Sequence, residues 1–147
     1  MLTKDEIQMI ADEVVKELGS DFEEKVYQEA FLAELRIREY EYDRERIIPI
    51  LYKGQQISFV RADVVARKGA EEVVLELKVS HEDVKDNIKN ELKAYLRAIE
   101  KSQPSRSGVK RTGFVVIFPS TSSARGSQTP PEKASVEEVT TSNDPYS

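Results

Sequence analysis

The sequence predicts a mixed α/β fold in the order helix, helix, three strands, helix, strand. Three observations carry this reading. Apolar residues recur at helical intervals in three segments; three short β-branched runs are punctuated by Lys53-Gly54 and Lys68-Gly69; and one more apolar run follows the last helix. Adjacent strands joined by tight turns make an antiparallel meander. A strand reached through a helix can lie parallel to a neighbour by a right-handed crossover.

Thr3 and Glu6 have capping-box spacing and open the first helix. Ile7, Ile10, Val14 and Leu18 follow at helical intervals, and Gly19 ends it. Ser20 and Glu23 repeat the start signal, so the second helix is expected from there to about Glu39, with Phe22, Val26, Ala30 and Ala33 along one side. The first strand is expected at about Ile47–Tyr52, with Pro49 marking an edge. Ile57–Ala66 and Val73–Val79 are the next two strands. Ser80 with Asp83 can cap a third helix reaching about Lys101, buried along Val84, Ile88, Leu92, Tyr95 and Ile99. The last strand is Phe114–Phe118. Beyond it the chain is rich in Ser, Thr, Pro and Gly, so residues 119–147 are expected to be a disordered tail behind one folded domain, 1–118.

Composition narrows the function. No run of about 18 apolar residues exists to span a membrane. The opening MLTKDEIQMIADE is acidic where a signal peptide is basic, so an intracellular location, cytoplasmic or nuclear, is expected. The chain has no cysteine and a single histidine, His81, expected as a cap or exposed at a helix start. Any metal must therefore be held by carboxylates, which points to Mg²⁺ or Mn²⁺. A net charge of −5 argues against a purely charge-driven nucleic-acid binder but leaves room for a local basic patch. No glycine loop cradles a phosphate, and one histidine builds no nucleophilic triad beyond its helix-start position.

Strand parity singles out charged residues in apolar company. Ile57, Phe59, Arg61, Asp63 and Val65 share one face of the second strand; Val74, Glu76 and Lys78 share one face of the third. A two-residue loop at Lys68-Gly69 sets Asp63 one diagonal step from Glu76, and a four-residue loop sets the two directly opposite. Either register leaves both acids on one side of the sheet, roughly 5–8 Å apart at their side-chain bases; a three-residue loop separates them. Two carboxylates that close repel unless a cation or proton lies between them. Lys78 points the same way and can orient a water, or it simply pairs with Glu76 or Asp63 in an ordinary salt-bridged face.

Two helical acids join the set. Glu91 leans onto the buried stripe between Ile88 and Tyr95, and Glu24 shares a side with Tyr27 and Phe31. Lys85, Lys89, Lys93, Arg97 and Lys101 recur every four residues along the third helix and form a cationic ridge, a candidate phosphate track that Arg106, Lys110 and Arg111 extend. Charged helix faces are also commonly just solvated. Tyr40, Tyr42 and Tyr52 are read as sheet-edge packing.

Four segments resemble one family. Leu18-Gly19 with Glu24-Lys25-Val26-Tyr27-Gln28-Glu29-Ala30 is similar to the opening motif of the GxxExxY proteins, a branch of the PD-(D/E)XK nuclease superfamily. Phe59-Val60-Arg61-Ala62-Asp63-Val64-Val65 resembles that family's FRADLLV strand, Glu76-Leu77-Lys78 its ELK, and Glu91-Leu92-Lys93-Ala94-Tyr95-Leu96 its QLxxYL helix. The resemblance covers about residues 3–118. Asp21 stands where the named motif begins with glycine, and Glu91 where the family usually has glutamine.

The resemblance implies a restriction-endonuclease-like sheet with flanking helices and a metal-dependent site for cutting phosphodiesters in nucleic acid. Carried over residue by residue, Asp63, Glu76 and the Leu77 carbonyl would bind Mg²⁺ (or Mn²⁺). Lys78 would position the attacking water, and Glu24 would support the site from its helix, with Tyr27, Glu91 and Tyr95 as further supporting residues. The helical ridge, read from its spacing and not from the resemblance, would meet the nucleic acid through Lys85, Lys89, Lys93 and Arg97. The alternative is a catalytically inactive descendant kept as a binding or dimerising module, and a homodimer is compatible with either reading.

Overall fold

The computed structural model describes residues 2–80, 86–104, 110–120 and 134–140. Helix α1 spans Lys4–Leu18 and α2 spans Glu24–Ile37. Strands β1 (Glu41–Tyr52), β2 (Gln55–Lys68) and β3 (Glu71–Ser80) follow, then α3 (Asp86–Ser102), β4 (Lys110–Pro119) and β5 (Ser135–Val139). They form one sheet in the order β1-β2-β3-β4-β5, antiparallel throughout except for the parallel β3–β4 pair. The meander and the helical crossover to a parallel strand are as the sequence predicts.

Two apolar layers sandwich the sheet. On one side α1 and α2 pack through Ile7, Ile10, Val14, Tyr27, Phe31 and Leu35 against strand residues such as Val64, Leu75 and Phe118. On the other, Leu92, Leu96 and Ile99 of α3 pack on Val65, Val74, Val115 and Ile117. Gly113 permits that approach, because a Cβ there would lie 3.1 Å from side-chain carbons of both Leu92 and Leu96. Among the described residues no helix is long and apolar enough to cross a membrane.

The first helix starts and stops on its signals. Thr3 Oγ1 accepts from the Glu6 N–H at 3.2 Å, and the Gly19 N–H donates to the Val15 carbonyl at 2.7 Å. The second does not. It begins at Glu24 rather than Ser20, and Glu23 at its N-cap makes no side-chain cap bond. Its buried face is Tyr27, Phe31, Leu32 and Leu35, whereas Phe22 and Val26, read along one side with Ala30 and Ala33, are exposed. The larger rings won the core: Tyr27 stacks on Phe118 at 4.8 Å, a pairing worth about 1 kcal/mol beyond its burial.

The expected disorder of 119–147 is corrected at 135–139. That segment pairs with β4 from Gly113↔Val139 to Ile117↔Ser135 and buries Val136 and Val139. Without it, β4 would present an unpaired apolar edge. Gln8 on α1 adds a bond of 2.8 Å to the Ala134 carbonyl. The proposed Ser80–Asp83 cap, Val84 and His81 fall at or within 81–85, outside the described residues, and nothing is described of the Ser80 side chain.

Candidate active site

The site exists because one strand ladder stops early. Strands β2 and β3 pair from Lys68↔Glu71 to Val64↔Leu75, around a turn at Gly69-Ala70. This is the register that sets Asp63 directly opposite Glu76, reached by carrying the ladder one pair beyond the four-residue loop considered from sequence. Past Leu75, β3 remains paired to β4 as far as Ser80↔Pro119, while β2 remains paired only to β1. The β1–β2 hairpin therefore leaves the sheet, and a split opens between β2 and β3.

Carboxylates fill the split in place of backbone carbonyls. The Asp63 N–H donates to Glu76 Oε1 at 3.2 Å, and the Leu77 N–H donates to Asp63 Oδ2 at 2.9 Å. Further along, the Val79 N–H donates to Glu24 Oε1 at 3.3 Å. Two acids from other elements, Asp63 and Glu24, thus hold the free edge of β3, and Glu76 holds that of β2 in return. An N–H and C=O of one strand residue point to the same edge, so the Leu77 carbonyl shares this opening.

The electrostatics follow from crowding. Burial and then the Asp63 charge push the Glu76 carboxyl up to about 8, against the pull of the Asp63 N–H and Lys78. Burial also raises Asp63, opposed by the Leu77 N–H and by Lys78. Lys78 Nζ lies 3.9 Å from Glu76 Oε2. Burial works against its ammonium, but Asp63, Glu76, Glu24 and Glu91 together raise its pKa. One cation faces four acids.

From α3, the Tyr95 hydroxyl donates to Glu91 Oε1 at 2.5 Å. Burial, that bond, and the charges of Glu91, Glu76 and Asp63 all raise the Tyr95 pKa, so this pair borders the site. Tyr27 does not. Its hydroxyl donates to the Gly19 carbonyl at 2.7 Å and accepts from the Phe22 N–H at 3.3 Å, deep in the core. It anchors the loop from which α2 presents Glu24.

The basic ridge is partly occupied. Lys89 lies 3.6 Å from Glu137 of β5, and Lys93 is half-buried. Arg97 is exposed and engaged in an interaction of its own. Lys85 and Arg106 lie outside the described residues. Arg111, read as part of the track, instead bonds Glu72 at 2.7 Å and Glu100 at 3.0 Å. Tyr40 is buried and bonded to Glu6, whereas Tyr52 is exposed at the hairpin tip, not packed.

Sequence reasoning missed Glu45. It stands opposite Asp63 on β1, between the pairs Arg44↔Val64 and Arg46↔Ala62, with φ of 50°. A left-handed glutamate costs about 1 kcal/mol, and its charge adds to those raising Asp63. The inward parity of β2 changes here too: Val60 and Ala62 join the α3-side core with Val65, leaving Ile57 and Phe59 exposed. The single five-residue face read from sequence is thus broken at Asp63. Its signal, an Arg-Glu-Arg run, lay before the strand start that the sequence suggested.

The donor set suits a hard divalent ion. Two carboxyls repel in the split, one strand carbonyl is at hand, the chain has no cysteine, and among the described residues no imidazole competes. Mg²⁺ commonly takes one or two carboxylates and keeps several waters. Among the described residues no group of three or more acidic, histidine or cysteine side chains is placed to hold a metal ion. A cavity of about 200 Å³ lined by Leu2, Lys4, Glu71, Thr112, Phe114 and Glu138 lies at the far end of β3, away from the Asp63–Glu76 split.

A model of the PD-(D/E)XK nuclease superfamily matches residues 2–120. No curated protein matches the chain.

Proposed function

Since the chain belongs to the PD-(D/E)XK nuclease superfamily, we propose that it hydrolyses phosphodiester bonds in nucleic acid with Mg²⁺ or Mn²⁺. The observation that carries this reading is the Asp63–Glu76 pair in the β2–β3 split, Glu76 buried and Asp63 half-buried, with Lys78 as its near cation. Asp63, Glu76 and the Leu77 carbonyl would hold the metal. When bound, it would neutralise charge that develops on the phosphate and lower the pKa of a bound water.

The chain's own groups do the rest. Lys78 has three donors at the rim and orients a water toward phosphorus while stabilising the phosphate oxygens. The water oxygen–phosphorus bond forms as the water gives up a proton, the opposite phosphorus–oxygen bond breaks, and the leaving oxygen takes up a proton from solvent, so the products are a phosphate monoester and an alcohol. Glu24 holds the end of β3 through the Val79 N–H, so the Lys78 backbone stays fixed between two tied neighbours. Glu91 and Tyr95 border the site from α3.

A place in the GxxExxY branch is part of the proposal. Asp21, at the position of that motif's first glycine, has φ of 72°, a conformation glycine adopts without cost. Asp and Asn are the residues that best tolerate it otherwise.

The test is cleavage of labelled DNA and RNA by the purified chain with Mg²⁺ or Mn²⁺, with calorimetric metal titration alongside. Cleavage that disappears in Asp63→Ala, with metal affinity lost in Asp63→Ala and Glu76→Ala, is the expected result. Cleavage that survives Asp63→Ala sinks the assignment. Absence of both cleavage and metal affinity in the wild type hands the chain to the inactive-module reading.

A further inference from the structure

The β1–β2 hairpin that leaves the sheet beyond Asp63 has an unusual surface for a chain of net charge −5. From Arg46 to Ala62 it carries Arg46, Lys53 and Arg61 and no acid. Its rings face water: Tyr52 is 59% exposed and Phe59 49%. Each ring sits beside a cation, with Lys53 Nζ 5.5 Å from the Tyr52 centroid and Arg61 Cζ 5.9 Å from that of Phe59. Among the described residues neither Lys53 nor Arg61 has an acidic partner.

Basic groups interleaved with exposed rings are what a single strand of nucleic acid needs: cations track its phosphates, and rings stack its bases without regard to sequence. Arg61 is two residues from Asp63, and Phe59 is four, about 13 Å along the strand. We propose that this arm binds unpaired nucleotides, with Phe59 and Tyr52 stacking bases and Arg61 and Lys53 meeting phosphates, and so leads a single-stranded segment to the Asp63–Glu76 split. The arm is a specificity element that rests on the hydrolase reading for its purpose but not for its binding. A second copy is a poor occupant, since two acid-free cationic arms repel each other.

The chain has no tryptophan, so Phe59→Trp in the full-length protein reports on this position alone. Single-stranded oligothymidylate, oligouridylate and a blunt duplex are added in EDTA, where cleavage cannot intervene. Quenching by one or both single strands, and not by the duplex, is expected; which strand quenches separates DNA from RNA. Phe59→Ala should weaken single-strand binding about tenfold in fluorescence anisotropy. Equal quenching by the duplex, binding without quenching, or no binding to either single strand overturns the proposal. So does a Phe59→Ala protein that keeps its affinity but changes from dimer to monomer in sedimentation, which makes the arm a contact between copies. Quenching in a protein that never cleaves leaves the arm standing and removes the hydrolase reading instead.

Discussion

Strand β3 carries two acids four residues apart, on one face by strand parity, whose side chains are both largely hidden, yet their surroundings are opposite in sign. Glu72 lies between Arg111 at 2.7 Å and Arg46 at 3.2 Å, side chains that are themselves 12% and 18% exposed. Burial would raise its pKa, but the two guanidiniums more than offset this and hold it below the usual carboxylate value. Glu76 meets another carboxyl, with a single ammonium at 3.9 Å, and is pushed up to about 8. The first arrangement is closed, its charges matched by protein. The second has more negative charge than the protein supplies cations for. Burial is common to both; the partner decides whether an acid is structural or available for chemistry.

The largest effect expected from breaking this contrast is catalytic. Asp63→Ala should reduce hydrolysis about a thousandfold or more, while Glu72→Gln, outside the split, should leave a folded enzyme with measurable cleavage. Next is stability. Glu72→Ala removes the carboxylate shared by two hidden guanidiniums, of which Arg111 keeps Glu100, and should cost about 2 kcal/mol in urea unfolding. Glu76→Gln should do the reverse and stabilise the metal-free protein by about 1 kcal/mol near pH 8, by removing like-charge repulsion. A Glu76→Gln protein less stable than wild type at that pH would mean that the pair is already neutralised.

The pH dependences should also oppose each other. Glu76 has a raised folded pKa, so its contribution is fully present below about 4.5 and is lost as pH rises through about 8. Glu72 has a lowered one, so its contribution is present above 4.5 and is lost as pH falls through its folded value. Thermal melts of the two Gln variants against wild type between pH 4 and pH 9 read both signs. Mg²⁺ should raise the melting temperature more at pH 8.5 than at pH 6, because the metal binds the deprotonated pair, and this gain should vanish in Asp63→Ala. The smallest effect lies away from both acids: Asp21→Gly should add about 0.5 kcal/mol by relieving the left-handed backbone, without changing metal affinity.

Much of this was legible in the sequence because it depends on local chemistry. Capping at Thr3 and Gly19, turns at Lys53-Gly54 and after Lys68, the edge position of Pro49 and the alternation of Glu76 and Lys78 are properties of a few neighbouring residues. The second helix was misread because its true core face, Tyr27, Phe31 and Leu35, is chosen by what it packs against, and Phe118 lies 91 positions away in the chain. Strand β5 was missed because Val136 and Val139 are too few to signal a strand until the β4 edge gives them a place.

By itself, then, the sequence determined the types and order of the first seven elements and the side of β3 on which Glu76 and Lys78 project, since these follow from backbone propensity and strand parity. Only the tertiary structure decided that β2 parts from β3 at Asp63, that Glu45 turns left-handed opposite it, and that Glu72 is neutralised while Glu76 is not. Those outcomes depend on which distant charges and backbone groups meet across the split. A desolvated carboxylate has no fixed pKa until its neighbours are in place.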